Sequence, residues 1–156
     1  MPNLTGIPET FPFDTTTRGS ADLLTLGTLA FETNGNEWVY LRGTASVVAG
    51  QWLVIRDSWT TKTAAADDQG SLAIAGTAHT VDTYGWFQIK GRNTIAGNSG
   101  AVAIDSPLYL TTNAGYVDDV DVAGDAISHA VSMVASTGSA FTAWIDHPFV
   151  HDIALD

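Results

Sequence analysis

Residues 126–145 read AISHAVSMVASTGSAFTAWI, and this stretch decides between a helical and an all-β interpretation of the chain. Positions 127, 130, 131 and 134 fit one face of a helix, whereas positions 127, 129, 131, 133 and 135 fit one face of a strand. The loop Ser136-Thr137-Gly138-Ser139 and the apolar run that follows it are typical of a β-hairpin. The stretch therefore predicts two strands joined by a turn.

Short strand-like runs alternate with turn residues along the rest of the chain. The predicted strands are 25–31, 37–41, 52–56, 71–75, 86–90, 102–104, 108–111, 127–135 and 140–145. Turn residues separate them, as in Asn34-Gly35-Asn36, Asp67-Asp68-Gln69-Gly70 and Asn113-Ala114-Gly115. This regular punctuation predicts a single all-β domain over residues 22–156, an antiparallel β-sandwich or a jelly-roll-like barrel.

The composition favours the same class. Val, Ile, Thr and the aromatic residues total 56 of the 156 residues, whereas Leu, Met, Glu, Lys, Gln and Arg total 25. Because the first group favours strands and the second favours helices, a helical bundle is excluded.

The charge of the chain narrows its possible partners. Six Lys and Arg residues against 17 Asp and Glu residues give a formal net charge of −11. Nucleic acid and an anionic membrane surface are therefore not expected as partners, because the chain cannot neutralise phosphates.

The absence of Cys fits assembly in a reducing cytoplasm. A soluble, unprocessed protein is expected, since no stretch approaches the ~20 apolar residues of a membrane span and the N-terminus lacks a signal-peptide pattern.

Residues 1–21 differ from the rest of the chain. They hold three of the five prolines and a run of three Thr residues, which predicts an extended N-terminal arm. Phe11-Pro12-Phe13 is too apolar for a solvated tail, so we expect this segment either to pack on its own domain or to dock on a neighbouring subunit.

The chain has five tryptophans, a high number for its length. Trp59 lies in the polar stretch Ser58-Trp59-Thr60-Thr61 and is the best candidate for an exposed ring. The other four are expected in the core, and they are Trp38, Trp52, Trp86 and Trp144.

One group of residues could carry hydrolase chemistry. His79, Asp82 and Ser99 could form a catalytic triad if the fold brings them together. However, Gly97-Asn98-Ser99-Gly100 is more typical of a Gly-rich turn, and we assign no catalytic residue.

Two further groups could bind metal ions. The acidic run 118–125, with Asp118, Asp119, Asp121 and Asp125, could suit Ca²⁺ but lacks ligands that an EF-hand loop requires. His147 and His151 have the spacing of a helical Zn²⁺ pair, but Pro148 favours an extended segment in which the two side chains lie about 13 Å apart. We therefore predict no metal site and no cofactor.

Two segments share the pattern W-x-x-[LI]-[RK]-G. They are WVYLRG at 38–43 and WFQIKG at 86–91. The repetition predicts two similar strands, each ending in a basic residue and Gly.

These segments also carry a family resemblance. Residues 37–43 (EWVYLRG), 48–51 (VAGQ), 85–91 (GWFQIKG) and 108–115 (LYLTTNAG), followed by the final pair of strands, resemble the small all-β head decoration (cement) proteins of tailed bacteriophages. The resemblance covers about residues 26–149. It implies a homotrimer on the outer surface of the phage head that clamps adjacent subunits of the major capsid protein.

We therefore predict a structural virion protein without enzymatic activity, made in the host cytoplasm and located on the capsid exterior. Phe11, Pro12 and Phe13 in the arm, together with Trp59, are expected at the capsid or subunit interface. The alternative is a carbohydrate- or host-receptor-binding β-sandwich, in which exposed aromatic rings stack on sugars.

Overall fold

Between residues 24 and 151, ten strands join in one mixed sheet, and the all-β class is confirmed. The computed structural model describes residues 24–151, so the predicted arm with Phe11, Pro12 and Phe13 lies outside the described residues. The strands are β1 Leu29–Phe31, β2 Glu37–Gly43, β3 Trp52–Arg56, β4 Thr60–Thr63, β5 Gly70–Ala75, β6 Tyr84–Gly97, β7 Pro107–Leu110, β8 Val117–Asp118, β9 Ala126–Ser132 and β10 Ala140–Val150. Within the described range, no helix is long and apolar enough to cross a membrane.

Five strands close into a ring. β2 pairs with β6 and with β4, β4 pairs with β3, β3 with β5, and β5 with β6. The β2–β4 pairing is parallel, with Arg42 opposite Thr60, whereas the other four pairings are antiparallel. The sheet is therefore mixed rather than wholly antiparallel, because the second strand of the β3–β4 hairpin runs beside β2 in the same direction.

The long strand β6 connects the ring to a second layer. Its first part pairs with β2 and β5, and its last part, from Lys90 to Gly97, pairs with β10. β10 then pairs with β9, β9 with β7, and β7 with β8. The predicted terminal hairpin is confirmed, since β9 and β10 are antiparallel with Ala143 opposite Ser132.

Except for β4, the ring strands bury residues on both of their faces, which explains their apolar runs. On β3, Leu53 belongs to a core cluster inside the ring, together with Val39 and Phe87. Its neighbours Trp52 and Val54 belong to a second cluster between the ring and the second layer. A third cluster, built around Trp38, Tyr40 and Trp86, covers the outside of β2 and β6 and packs against Ala30 of β1.

The two W-x-x-[LI]-[RK]-G segments lie side by side. Tyr40 of β2 is opposite Trp86 of β6, and the two strands are antiparallel. Each basic residue of the pattern forms an ion pair: Arg42 Nη2 is 2.8 Å from Asp82 Oδ1, and Lys90 Nζ is 3.3 Å from Glu37 Oε1. The repeated pattern therefore forms the seam between two neighbouring ring strands.

Some strand predictions are wrong. Residues 102–104 form only an isolated bridge at Val102, because Asp119 Oδ2 accepts the Ala103 N–H and Asp105 has a φ of +58°. The predicted strand 25–31 is reduced to β1, since Gly27 has a φ of +83° within a turn. β4 (TTKT) and β8 (VD) were not predicted because neither contains an apolar run.

Candidate binding cleft

An apolar cleft of about 290 Å³ opens at one end of the ring. It is lined by Leu29, Val39, Ile55, Trp59, Ser71, Leu72, Ile89, His147 and Pro148. Apolar side chains dominate this lining, and two polar residues accompany them, as in sites that bind an apolar group. The volume lies at the lower end of the range for small-molecule sites, roughly 300–1,000 Å³, so it suits one or two side chains better than a large ligand.

Trp59 forms part of the rim of this cleft and is 48% exposed, as the sequence predicts. Its ring lies against the backbone of Gly27, where a Cβ atom would be 2.5 Å from the ring. Ser58 and Trp59 have φ values of +62° and +58°, a conformation that costs of order 1–3 kcal/mol for a non-glycine residue. The backbone that carries the Trp59 ring at the cleft is therefore locally strained. A role for Trp59 at an interface stays a prediction.

Charged side chains border the cleft beside His147. His147 Nε2 is 3.4 Å from Glu37 Oε2, and His147 Nδ1 is 3.1 Å from Asp146 Oδ1. The hydrogen bond with His147 and then the charge of Lys90 lower the pKa of Asp146. Acids and bases thus face one another at this edge, where His147 lies between the carboxylates of Glu37 and Asp146.

The three residues of the possible triad are not brought together. His79 is buried, and its ring stacks on Phe87 with a centroid distance of 4.8 Å. Asp82 forms an ion pair with Arg42, and the Ser99 N–H donates to the Val117 carbonyl. Between residues 24 and 151, no hydrogen bond joins any two of the three.

Burial lowers the pKa of His79. Both ring nitrogens lack a hydrogen-bond partner among the described residues, and a Cβ atom at Gly85 would be 2.0 Å from His79 Cε1. The removal of the ring from water lowers the pKa of His79 from 6.5 to about 4. His79 therefore supports the core in its neutral form.

This pKa shift predicts a pH-dependent loss of stability. Because the unfolded chain binds the proton more tightly, the His79 contribution is fully present above pH 6.5, falls as the pH drops and is lost below about pH 4. We expect about 3 kcal/mol of unfolding free energy to be lost through this group. Urea unfolding at pH 7 and at pH 4 should show that the free energy of unfolding falls less for His79→Leu than for the unmodified chain. The exposed control His151→Gln should keep the full loss, and an equal loss in all three proteins would contradict the assignment.

The carboxylates of the run 118–125 serve separate turns. Asp118 Oδ1 accepts the Val120 N–H, Asp119 Oδ2 accepts the Ala103 N–H, and the buried Asp125 accepts the Asp67 N–H. Among residues 24–151, no group of three or more His, Asp or Glu side chains could hold a metal ion. Each of these carboxylates thus replaces a backbone partner that its loop would otherwise lack.

Exposed apolar side chains occur on three neighbouring loops of the second layer, which we call the loop surface. Hydrogen bonds join these loops: the Ala103 N–H donates to Asp119 Oδ2 at 2.8 Å, and the Asp105 N–H donates to the Ser132 carbonyl at 2.9 Å. The exposed side chains of the loop surface are Ile104, Val120, Val122, Met133 and Val134. Sequence reasoning missed this surface because its residues come from separate loops that only the fold brings together.

Trp144 is 45% exposed, so the prediction that it lies in the core is wrong. Along β10, Ala143 and Ile145 are buried while Trp144 and Asp146 are exposed, as expected for a strand that covers the core with one face. This alternation was the signal that could have identified Trp144. The predicted burial of Trp38, Trp52 and Trp86 is confirmed.

Comparisons with protein-family models, curated proteins and solved structures found no match.

Proposed function

We propose that the chain is a structural virion protein that binds the outer surface of a tailed-phage head as a decoration protein. The loop surface is the observation that carries this proposal, because several exposed apolar side chains on neighbouring, hydrogen-bonded loops are typical of a surface that a protein partner covers. The resemblance of residues 26–149 to head decoration proteins supplies the identity of the partner, the major capsid protein.

The chemistry of the loop surface supports a protein partner. Ile104 and Val120 are the two most exposed large apolar side chains in the described range, at 58% and 61%. When a partner removes such side chains from water, the free energy falls by about 25 cal/mol per Å² of apolar area buried. The net charge of −11 on the whole chain would oppose nonspecific association with nucleic acid.

The proposal is tested by mass and by sedimentation. We expect the full chain to have the mass of a homotrimer in solution and to co-sediment saturably with phage heads that lack it. Because the contacts would be mainly apolar, binding should change little between low and high salt. A chain that stays monomeric and remains in the supernatant with heads present would overturn the proposal.

The half-exposed rings of Trp59 and Trp144 favour a second candidate, a carbohydrate- or receptor-binding module. Exposed tryptophans stack on the apolar faces of sugars. Binding on a glycan array that is lost in Trp59→Ala or Trp144→Ala, without association to heads, would support this function in place of the first.

A further inference from the structure

We propose that Phe11-Pro12-Phe13 docks in the apolar cleft beside Trp59 of its own chain. Its own domain and a neighbouring subunit are the two possible docking sites for this segment. The location and chemistry of the cleft favour the first, and this inference does not rest on the proposed virion function.

The described chain begins close to the cleft. Leu24 is the first described residue, and Gly27, three residues later, lies against the Trp59 ring. Leu29, two residues further, lines the cleft itself. At roughly 3.3–3.6 Å per residue, Leu24 lies within about 11 Å of Gly27. The N-terminal residues therefore join the domain near the rim of the cleft.

The linking segment is long enough for Phe13 to return to the cleft. Residues 14–23 (DTTTRGSADL) separate Phe13 from Leu24, and this segment is mostly polar. Ten residues span up to about 35 Å when extended, which exceeds the distance required. The entropy cost of closing such a loop grows slowly with its length, and the tether keeps the segment at an effective concentration in the millimolar range. A second copy that is not already bound to this chain would supply its segment without this advantage.

The chemistry of the segment matches the cleft. The Phe rings would contact the partly buried Ile55 and the cleft side of Ile89, a member of the cluster inside the ring. The intervening Pro12 restricts φ, so less conformational entropy is lost when the segment is ordered in the cleft. The docked segment would cover the cleft and leave the loop surface free for a partner.

Disulfide trapping tests this arrangement, because the chain contains no Cys of its own. We would combine Ser71→Cys, an exposed residue of the cleft, with Thr10→Cys or with Asp14→Cys. The control replaces Ser71→Cys by Thr137→Cys, an exposed position in the second layer. Circular dichroism would establish that each variant is folded.

We expect a disulfide within one chain to form at least about tenfold faster in a Ser71 pair than in its matched Thr137 pair. The additional substitutions Phe11→Ala and Phe13→Ala should reduce the rate to that of the control. Equal rates for the Ser71 and Thr137 pairs at both arm positions would overturn the proposal. A disulfide between two chains in place of the one within a chain would also overturn it and would identify a second copy as the occupant.

Discussion

Gly50→Ala is expected to destabilise the fold by about 3–5 kcal/mol. Gly50 has a φ of +87°, and a Cβ atom there would be 1.9 Å from the backbone oxygen of Ile95. The backbone cannot easily move away, because the Gly50 N–H donates to the Ala75 carbonyl and the Gly50 carbonyl accepts the Gly97 N–H. Gly50 thus joins β5 of the ring to the part of β6 that enters the second layer.

Urea unfolding measures this effect, and Gly35→Ala is its matched control. Gly35 has a similar φ of +91°, but nothing lies within 4 Å of the position of an added Cβ atom. The control therefore carries only the cost of the left-handed conformation, about 1–2 kcal/mol. If Gly50→Ala loses no more stability than Gly35→Ala, Gly50 does not lie against the backbone of β6 as described.

The strands that sequence predicts best are those buried on both faces. β3 is predicted to the residue, and β5 differs from its prediction only by Gly70. Both carry unbroken apolar runs because alternate residues enter different core clusters. β4 has no such pattern, since its TTKT sequence pairs on both sides while burying only Thr61. Its place in the ring depends on long-range pairing, which a local pattern does not encode.

A recurring turn shows what more the sequence could have revealed. Within the described residues, seven strands begin two residues after a Gly or Asp with positive φ, and these residues are Gly27, Gly35, Gly50, Asp82, Asp105, Gly115 and Gly124. In three of the turns, a hydroxyl that follows donates to the carbonyl three residues earlier, as the Thr83 side chain does to Thr80. In these three turns the Gly or Asp precedes the Thr or Ser directly, and the two that contain Asp, at Asp82 and Asp105, explain part of the Asp surplus.

The candidate cleft was only partly predictable. An isolated tryptophan among polar residues identified Trp59 as exposed, because that signal is local. Val39, Ile55 and Ile89 come from three strands and have the pattern of ordinary core residues. They line a cleft only because they lie at the open end of the ring, which depends on how five strands close.

Ile104→Asp and Val120→Asp are each expected to reduce affinity for phage heads at least about 100-fold, if the proposed function holds. Both side chains are more than half exposed, so a carboxylate at either position remains solvated in the free protein and should leave its stability nearly unchanged. In the complex, the same carboxylate would be removed from water without a partner. That cost is about 3–5 kcal/mol, which corresponds to a factor of 100 or more in affinity.

Val81→Asp is the matched control, because it adds the same charge at a side chain of similar exposure, 52%, outside the loop surface. Its head affinity should equal that of the unmodified chain, measured by co-sedimentation at increasing protein concentration. Equal losses in all three variants would show that the added charge acts through the net charge of −11 rather than through the loop surface. Unchanged binding by Ile104→Asp and Val120→Asp would remove the loop surface from the interface, because an apolar contact cannot accept an unpaired carboxylate without loss of affinity.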